Sequence, residues 1–131
     1  MIYATASRSE GSRNLSYATQ ARSLVEYNRW ANERVLAAAD GVPDEEFARK
    51  GEDGLSIEGA LRHAVRTQIW WLGNWTGADV VDFERSRDGL RPAYAETHDR
   101  LDALIASTDD AAWERDVEFS FQPGSPLRLP M

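Results

Sequence analysis

The chain has 131 residues, a formal net charge of −7 and no cysteine. This length is typical of one domain that can bury a core of its own. The acidic excess, with no cluster of basic residues, disfavours a nucleic-acid-binding protein, because neutralisation of phosphates normally supplies that affinity. The lack of cysteine excludes disulfides, thiolate metal sites and a cysteine nucleophile.

The N-terminal sequence shows no sign of membrane targeting or of regular structure. No apolar run in the chain approaches the roughly 20 residues that span a bilayer, and the start lacks the apolar region of a secretory signal. We therefore expect a cytoplasmic protein with no membrane partner. Residues 1–19 are rich in Ser, Thr and Arg without any period, which predicts a flexible N-terminal extension ahead of a single domain at 20–131.

The first predicted helix covers residues 20–39, where the apolar residues recur at the three-and-four spacing of one buried stripe. Asn28 falls inside this stripe and Asn32 lies at its edge. A buried amide without a partner costs about 1–3 kcal/mol, so we expect Asn28 to bond a neighbouring element. Gly41 and Pro43 end the helix, and residues 44–48 are expected to form one further turn. The stripe consists of Leu24, Tyr27, Ala31, Val35 and Ala38.

The second predicted helix covers residues 57–77, with Ser56 as its N-cap. A broad apolar face is predicted to pack against the other helices. His63 lies outside that face, in a separate stripe that also holds Trp70. The helix therefore has two faces, one for packing and one for a site or a partner. The apolar face consists of Ile57, Ala60, Leu61, Ala64, Val65, Gln68, Trp71, Leu72 and Trp75, and the stripe of His63 also contains Thr67 and Asn74.

The third predicted helix covers residues 91–106, with Pro92 in its first turn. Val117 and Phe119 alternate with polar residues, which predicts a short extended segment near 117–121. Together these elements predict an all-α, up-down helical bundle of three main helices, with neighbouring helices near-antiparallel. The apolar stripe of the third helix consists of Tyr94, Thr97, His98, Leu101, Leu104 and Ile105.

Few residues of the chain have the pattern of a catalytic or binding site. His63 on its own is more often a structural or surface residue than a metal ligand, and His98 is expected to be a hydrogen-bonded core histidine. Trp70, Trp71 and Trp75 are expected in a core or an interface. The chain carries no nucleophile elbow, phosphate loop, HExxH motif or dinucleotide fingerprint.

Two segments of the chain resemble the DinB/YfiT-like family. EYNRWANERVLAAADGVPDEEF, at 26–47, is similar to the opening helix of that family, and SIEGALRHAVRTQIWWLGNWTG, at 56–77, is similar to its second helix. The element Tyr-Asn-x-Trp-Ala-Asn at 27–32, followed by Leu-x-His at 61–63, carries most of the resemblance. The resemblance covers the chain from about Leu24 to its C-terminus.

The resemblance implies a four-helix bundle, commonly a homodimer, with a divalent metal (Ni or Zn) held by three histidines. The first of these ligands maps onto His63, and the other two would come as a histidine pair on a fourth helix. The sequence ends at Met131, after the strand and proline turn that precede this helix in the family. We therefore expect either a fragment or a family member without the metal site, and no tightly bound metal.

The resemblance implies one class of function, and the tryptophan face indicates another. The first is a damage-inducible protein that acts as a metal-dependent hydrolase or as a transferase for mycothiol- or bacillithiol-type thiols, with a small-molecule or thiol substrate; we expect this chain alone to be inactive. The alternative is a non-catalytic bundle that acts as an interaction or small-ligand-binding module through its tryptophan face. Direct contact with DNA is disfavoured by the charge. The apolar surface of the first two helices is expected to mediate self-association.

Overall fold

The computed structural model describes residues 16–79, 82–120 and 127–130, of which Pro130 is described in its backbone only. The first helix, α1, covers Tyr17–Asp40. The Ser16 hydroxyl accepts a hydrogen bond from the Thr19 N–H at 3.2 Å and so caps the helix start. The helix therefore begins three residues before the predicted start at residue 20. Residues 1–15 of the predicted extension lie outside the described residues.

Two helices follow in the order predicted. The short helix α2 covers Asp44–Ala48 and α3 covers Ile57–Thr76. The Ser56 hydroxyl accepts a hydrogen bond from the Gly59 N–H at 2.9 Å, which confirms the predicted N-cap. At the other end Gly77 has a φ of 70°, a left-handed conformation that glycine adopts without strain and that commonly ends helices.

The C-terminal part contains one long helix and a β-hairpin. A single 3₁₀ turn at Arg87–Gly89 leads into α4, which covers Leu90–Ser107, and a second one lies at Ala112–Glu114. Strand β1 (Asp116–Phe119) pairs antiparallel with β2 (Leu127–Pro130). Val117 and Phe119 are buried in alternation with exposed residues, as predicted for the extended segment. The partner strand β2 was not predicted, and position 121 of the predicted segment lies outside the described residues.

The all-α bundle prediction is confirmed, and side-chain contacts give the direction of each helix. At the middle of α1, Arg29 bonds Asp102 in the second half of α4, and at the end of α1, Asp40 pairs with Arg91 at the start of α4. The two helices are therefore antiparallel. Helix α3 is also antiparallel to α1, because Asn28 bonds Gln68 late in α3 while Leu36 and Leu61 line one cavity.

Helices α3 and α4, however, run in the same direction. Tyr94 near the start of α4 bonds Leu61 near the start of α3. Further along both helices, Thr97 lines a cavity with Ile69. Near-antiparallel packing of all neighbours was therefore wrong for this pair. The connection at 77–89 can extend over roughly 40 Å, more than the ~30 Å length of a 20-residue helix. It is long enough to return the chain to the start of α3.

The core lies between α1, α2, α3 and α4, and it corrects the predicted face of α1. In the predicted stripe Leu24, Tyr27 and Val35 are 70%, 65% and 51% exposed. The helix instead turns a neighbouring face inward, with Asn28 and Asn32 half-buried on it. The physical reason is that both amides find partners there, on α3 and α4. The main core consists of Leu36, Ala39, Phe47, Leu61, Val65, Ile69, Leu90, Ala93 and Tyr94.

The predicted apolar face of α3 is confirmed in part. Leu61, Val65 and Leu72 are buried as expected, whereas Ile69 is buried outside the predicted face. At the other edge of that face, Ile57, Ala60 and Ala64 are exposed. No helix in the described part of the chain combines the length and apolarity that a membrane span requires.

Candidate functional site

His63 lies on the exposed surface of α3, outside the buried face, as its position in the sequence predicted. Its backbone carbonyl accepts a hydrogen bond from the Thr67 hydroxyl at 2.9 Å, one turn further along the helix. Because this contact involves the main chain of His63 and not its side chain, it does not orient the imidazole.

His98 has the buried position that its place in the α4 stripe predicted. It is 4% exposed, and its Nε2 lies 3.2 Å from the Asn32 amide nitrogen on α1. This contact confirms the expected hydrogen-bonded core histidine. Burial lowers the pKa of His98, and the nearby Arg29 guanidinium lowers it further against three neighbouring carboxylates. The imidazole is therefore neutral near pH 7, which leaves one ring nitrogen able to accept a hydrogen bond.

The tautomer of His98 follows from this contact. The Asn32 amide nitrogen donates, so Nε2 accepts and the single ring proton lies on Nδ1. The Nδ1 atom is buried and has no hydrogen-bond partner among the described residues. The imidazole thereby fixes which end of the Asn32 amide faces α4.

A cleft of about 370 Å³ opens beside this pair, between α1 and α4. We call it the α1–α4 cleft. Such a volume lies within the range of small-molecule pockets, about 300–1,000 Å³. Sequence patterns did not predict it, because it depends on how two helices distant in sequence face each other. Its polar and apolar lining includes Asn32, Leu36, Pro92, Tyr94, Ala95 and His98.

The rim of the α1–α4 cleft carries charges of both signs. Arg29 and Arg91 lie on it together with Glu33 and Asp99. Arg29 donates to Asp102 at 2.5 Å, and Arg91 pairs with Asp40. Both guanidinium groups are therefore already engaged by carboxylates.

Phe119 of the β-hairpin covers part of the tryptophan face of α3. Phe119 packs against Trp70 and Trp71, with ring centroids at 5.8 and 5.0 Å, and Trp75 stacks on Trp71 at 5.8 Å. All three tryptophans are half-buried and lie outside the main core, so these contacts show packing against α3 and the β-hairpin but not the expected core position. The contacts cover part of the surface through which the alternative hypothesis expected a partner or a small ligand to bind.

A second apolar surface lies on α1 and α3, on the side of this helix pair that faces away from α4. We call it the α1–α3 face. Trp30 at its edge is 53% exposed and packs under the Arg34 guanidinium at 5.1 Å. The Asn28–Gln68 hydrogen bond, at 2.9 Å, joins the two helices beneath it. The face consists of Leu24, Tyr27, Val35, Ile57, Ala60 and Ala64, all exposed.

Comparison with known protein families agrees with this arrangement of helices. The family model described as the DinB family matches residues 14–125. The chain belongs to the DinB family. The comparisons with curated proteins and with solved structures found no match for this DinB-family chain.

The described residues of this DinB-family protein do not form the metal centre that the resemblance implies. Among residues 16–79, 82–120 and 127–130, no group of three His, Cys, Asp or Glu side chains is placed to hold an ion. Zinc sites in proteins have at least three protein ligands. His63 is exposed on α3, and the buried His98 already bonds Asn32. A lone imidazole therefore does not fit a divalent metal.

Proposed function

We propose that this DinB-family protein acts as a non-catalytic helical-bundle module that associates with a second copy of itself through the α1–α3 face. The observation that carries the proposal is the exposure of Leu24, Tyr27 and Val35, which form an apolar stripe along α1. These residues extend over three turns of the helix, or roughly 16 Å. Contiguous apolar surface of this kind is typical of protein–protein interfaces.

A second copy of the chain suits this face. Two antiparallel helices with a shared apolar side form half of a four-helix arrangement, and an equivalent pair supplies the other half. In a two-fold dimer the same patch meets itself, so one apolar face is sufficient for both partners.

A hydrolase or thiol-transferase activity would require two metal ligands in addition to His63. The described residues do not supply these ligands near His63, and we assign no catalytic step to them. In this proposal the exposed His63 is a surface residue beside the interface.

Sedimentation of the whole chain at micromolar concentration tests the proposal. The wild-type protein is expected to have the mass of two chains. Tyr27→Glu places a charge in the centre of the α1–α3 face and is expected to give single chains, because an unpaired buried charge is strongly unfavourable. The matched control is Ala106→Glu, which adds the same charge at an exposed position of α4 and is expected to leave the dimer unchanged.

Two results would overturn the proposal. One is a wild-type chain that stays monomeric over the micromolar range. The other is a Tyr27→Glu variant that remains as dimeric as the Ala106→Glu control, which would place the interface elsewhere. Because Tyr27 is 65% exposed, its replacement is not expected to prevent folding. Circular dichroism of each variant measures its helical content and so checks that it has folded.

A further inference from the structure

We infer that the α1–α4 cleft binds an uncharged small molecule through a primary carboxamide or lactam group that pairs with the side-chain amide of Asn32. The cleft lies on the α4 side of α1, away from the α1–α3 face, so this inference does not depend on self-association. It rests on the geometry of Asn32, on the apolar lining and on the pairing of the two rim arginines with carboxylates.

Asn32 is half-buried on the wall of the cleft and is only partly satisfied. One amide hydrogen is directed to His98 Nε2, at a nitrogen–nitrogen distance of 3.2 Å. The second amide hydrogen and the Oδ1 oxygen have no partner among the described residues. An asparagine amide offers two donors and an acceptor with two lone pairs. A donor and an acceptor are therefore available side by side.

A ligand group with an N–H and a C=O on the same side would bond both the remaining amide hydrogen and the Oδ1 oxygen of Asn32. Primary carboxamides and lactams have this arrangement, and each would donate to Asn32 Oδ1 while accepting from the remaining Nδ2–H. His98 acts here as a positioning residue, because its neutral Nε2 accepts from Asn32 and fixes the orientation of the amide. A ligand with a carbonyl alone would leave Oδ1 without a donor.

The remainder of the cleft favours an apolar and uncharged ligand body. Leu36 and Tyr94 are buried beneath the cleft, and Pro92 lies on its wall. Arg29 and Arg91 are already paired with Asp102 and Asp40. A carboxylate or phosphate ligand would have to displace one of these carboxylates, whereas a neutral amide would not.

Titration of the folded protein with benzamide, followed by the NMR signals of the Asn32 side-chain amide, tests the inference. Saturable binding of benzamide to the wild-type chain is expected. Acetophenone keeps the ring and the carbonyl but has no N–H, and it is expected to bind about tenfold more weakly, a difference of about 1.4 kcal/mol. Equal affinity for the two probes, or no saturable shift with benzamide, would overturn the inference.

A matched pair of variants locates the binding site. Asn32→Leu removes the amide from the cleft and is expected to weaken benzamide binding at least about tenfold. Asn28→Leu makes the same change one turn earlier on α1, where the amide bonds Gln68 outside the cleft, and is expected to bind as the wild type does. An equal loss of benzamide affinity in both variants, or no loss in Asn32→Leu, would refute the assignment of the binding site to Asn32. If Asn32→Leu does not fold, the comparison of the two probes on the wild-type chain decides.

Discussion

Replacement of Tyr94 by Phe removes one buried hydrogen bond between α4 and α3 with little change in shape. Tyr94 is 3% exposed, and its hydroxyl donates to the Leu61 carbonyl at 2.8 Å. That carbonyl also accepts the regular helical bond within α3, so the loss is close to that of one net hydrogen bond. We expect the free energy of unfolding to fall by about 1 kcal/mol, and the melting temperature by roughly 3–5 °C for a domain of this size.

Thermal and urea unfolding of the wild type, Tyr94→Phe and Tyr17→Phe measure this effect. Tyr17 is 50% exposed, so loss of its hydroxyl is expected to leave stability unchanged. A Tyr94→Phe variant as stable as the wild type, or an equal loss in the Tyr17→Phe control, would refute the reasoning.

Alkaline pH gives a second test of the same contact. Burial raises the pKa of Tyr94 to about 12, above its ordinary value of 10.0. Between these values the unfolded chain has lost a proton that the folded chain retains, so this group's contribution to stability falls as pH rises from about 10 to about 12. The stability advantage of the wild type over Tyr94→Phe should therefore decrease over that range and reverse in sign before about pH 12. An advantage that stays constant or increases would contradict the burial argument.

Three further predictions follow from other contacts. Burial lowers the pKa of His98 below 6.5, so on acidification the unfolded chain binds a proton at this residue before the folded chain does. The free energy of unfolding should therefore fall as pH drops below about 6.5. In urea unfolding, His98→Gln should lose less stability than the wild type over the same pH range. Arg87 donates to the Ala39 and Val42 carbonyls at 2.6 and 2.8 Å and covers the Phe47 ring, so Arg87→Met should lose about 1.5–3 kcal/mol in urea unfolding, and an unchanged midpoint would contradict it. His63→Ala alters an exposed residue and should change the unfolding free energy by less than about 0.5 kcal/mol, so a larger loss would show that His63 has a structural role.

Local signals in the sequence predicted the helices well. Ser56 as a cap and Gly41 after the first helix gave bounds close to those of α3 and the end of α1, because capping depends on nearby residues only. The expectation that Asn28 bonds a neighbouring element is confirmed by its contact with Gln68. Strand β2 could not be predicted in this way, since its pairing with β1 is a tertiary contact.

The inward face of α1 depends on partners that the sequence pattern does not identify. Leu24, Tyr27 and Val35 form the more apolar stripe, yet the helix turns Asn28 and Asn32 toward the bundle. Two polar residues four positions apart beside Leu36 were the available signal, because side chains at i and i+4 share a face. Their partners Gln68 and His98 are 40 and 66 residues away in sequence. The α1–α4 cleft follows from the same contacts and was therefore also missed.

The central claim is that this DinB-family chain acts through its surfaces and not through a metal centre at His63. Elemental analysis of the wild type and His63→Ala, after dialysis without chelator, tests it most directly. We predict well below one nickel or zinc ion per chain in both proteins, because a zinc site needs at least three protein ligands and the described residues offer only His63 at the family position. One ion per wild-type chain, lost in His63→Ala, would contradict the claim and support the hydrolase or thiol-transferase hypothesis.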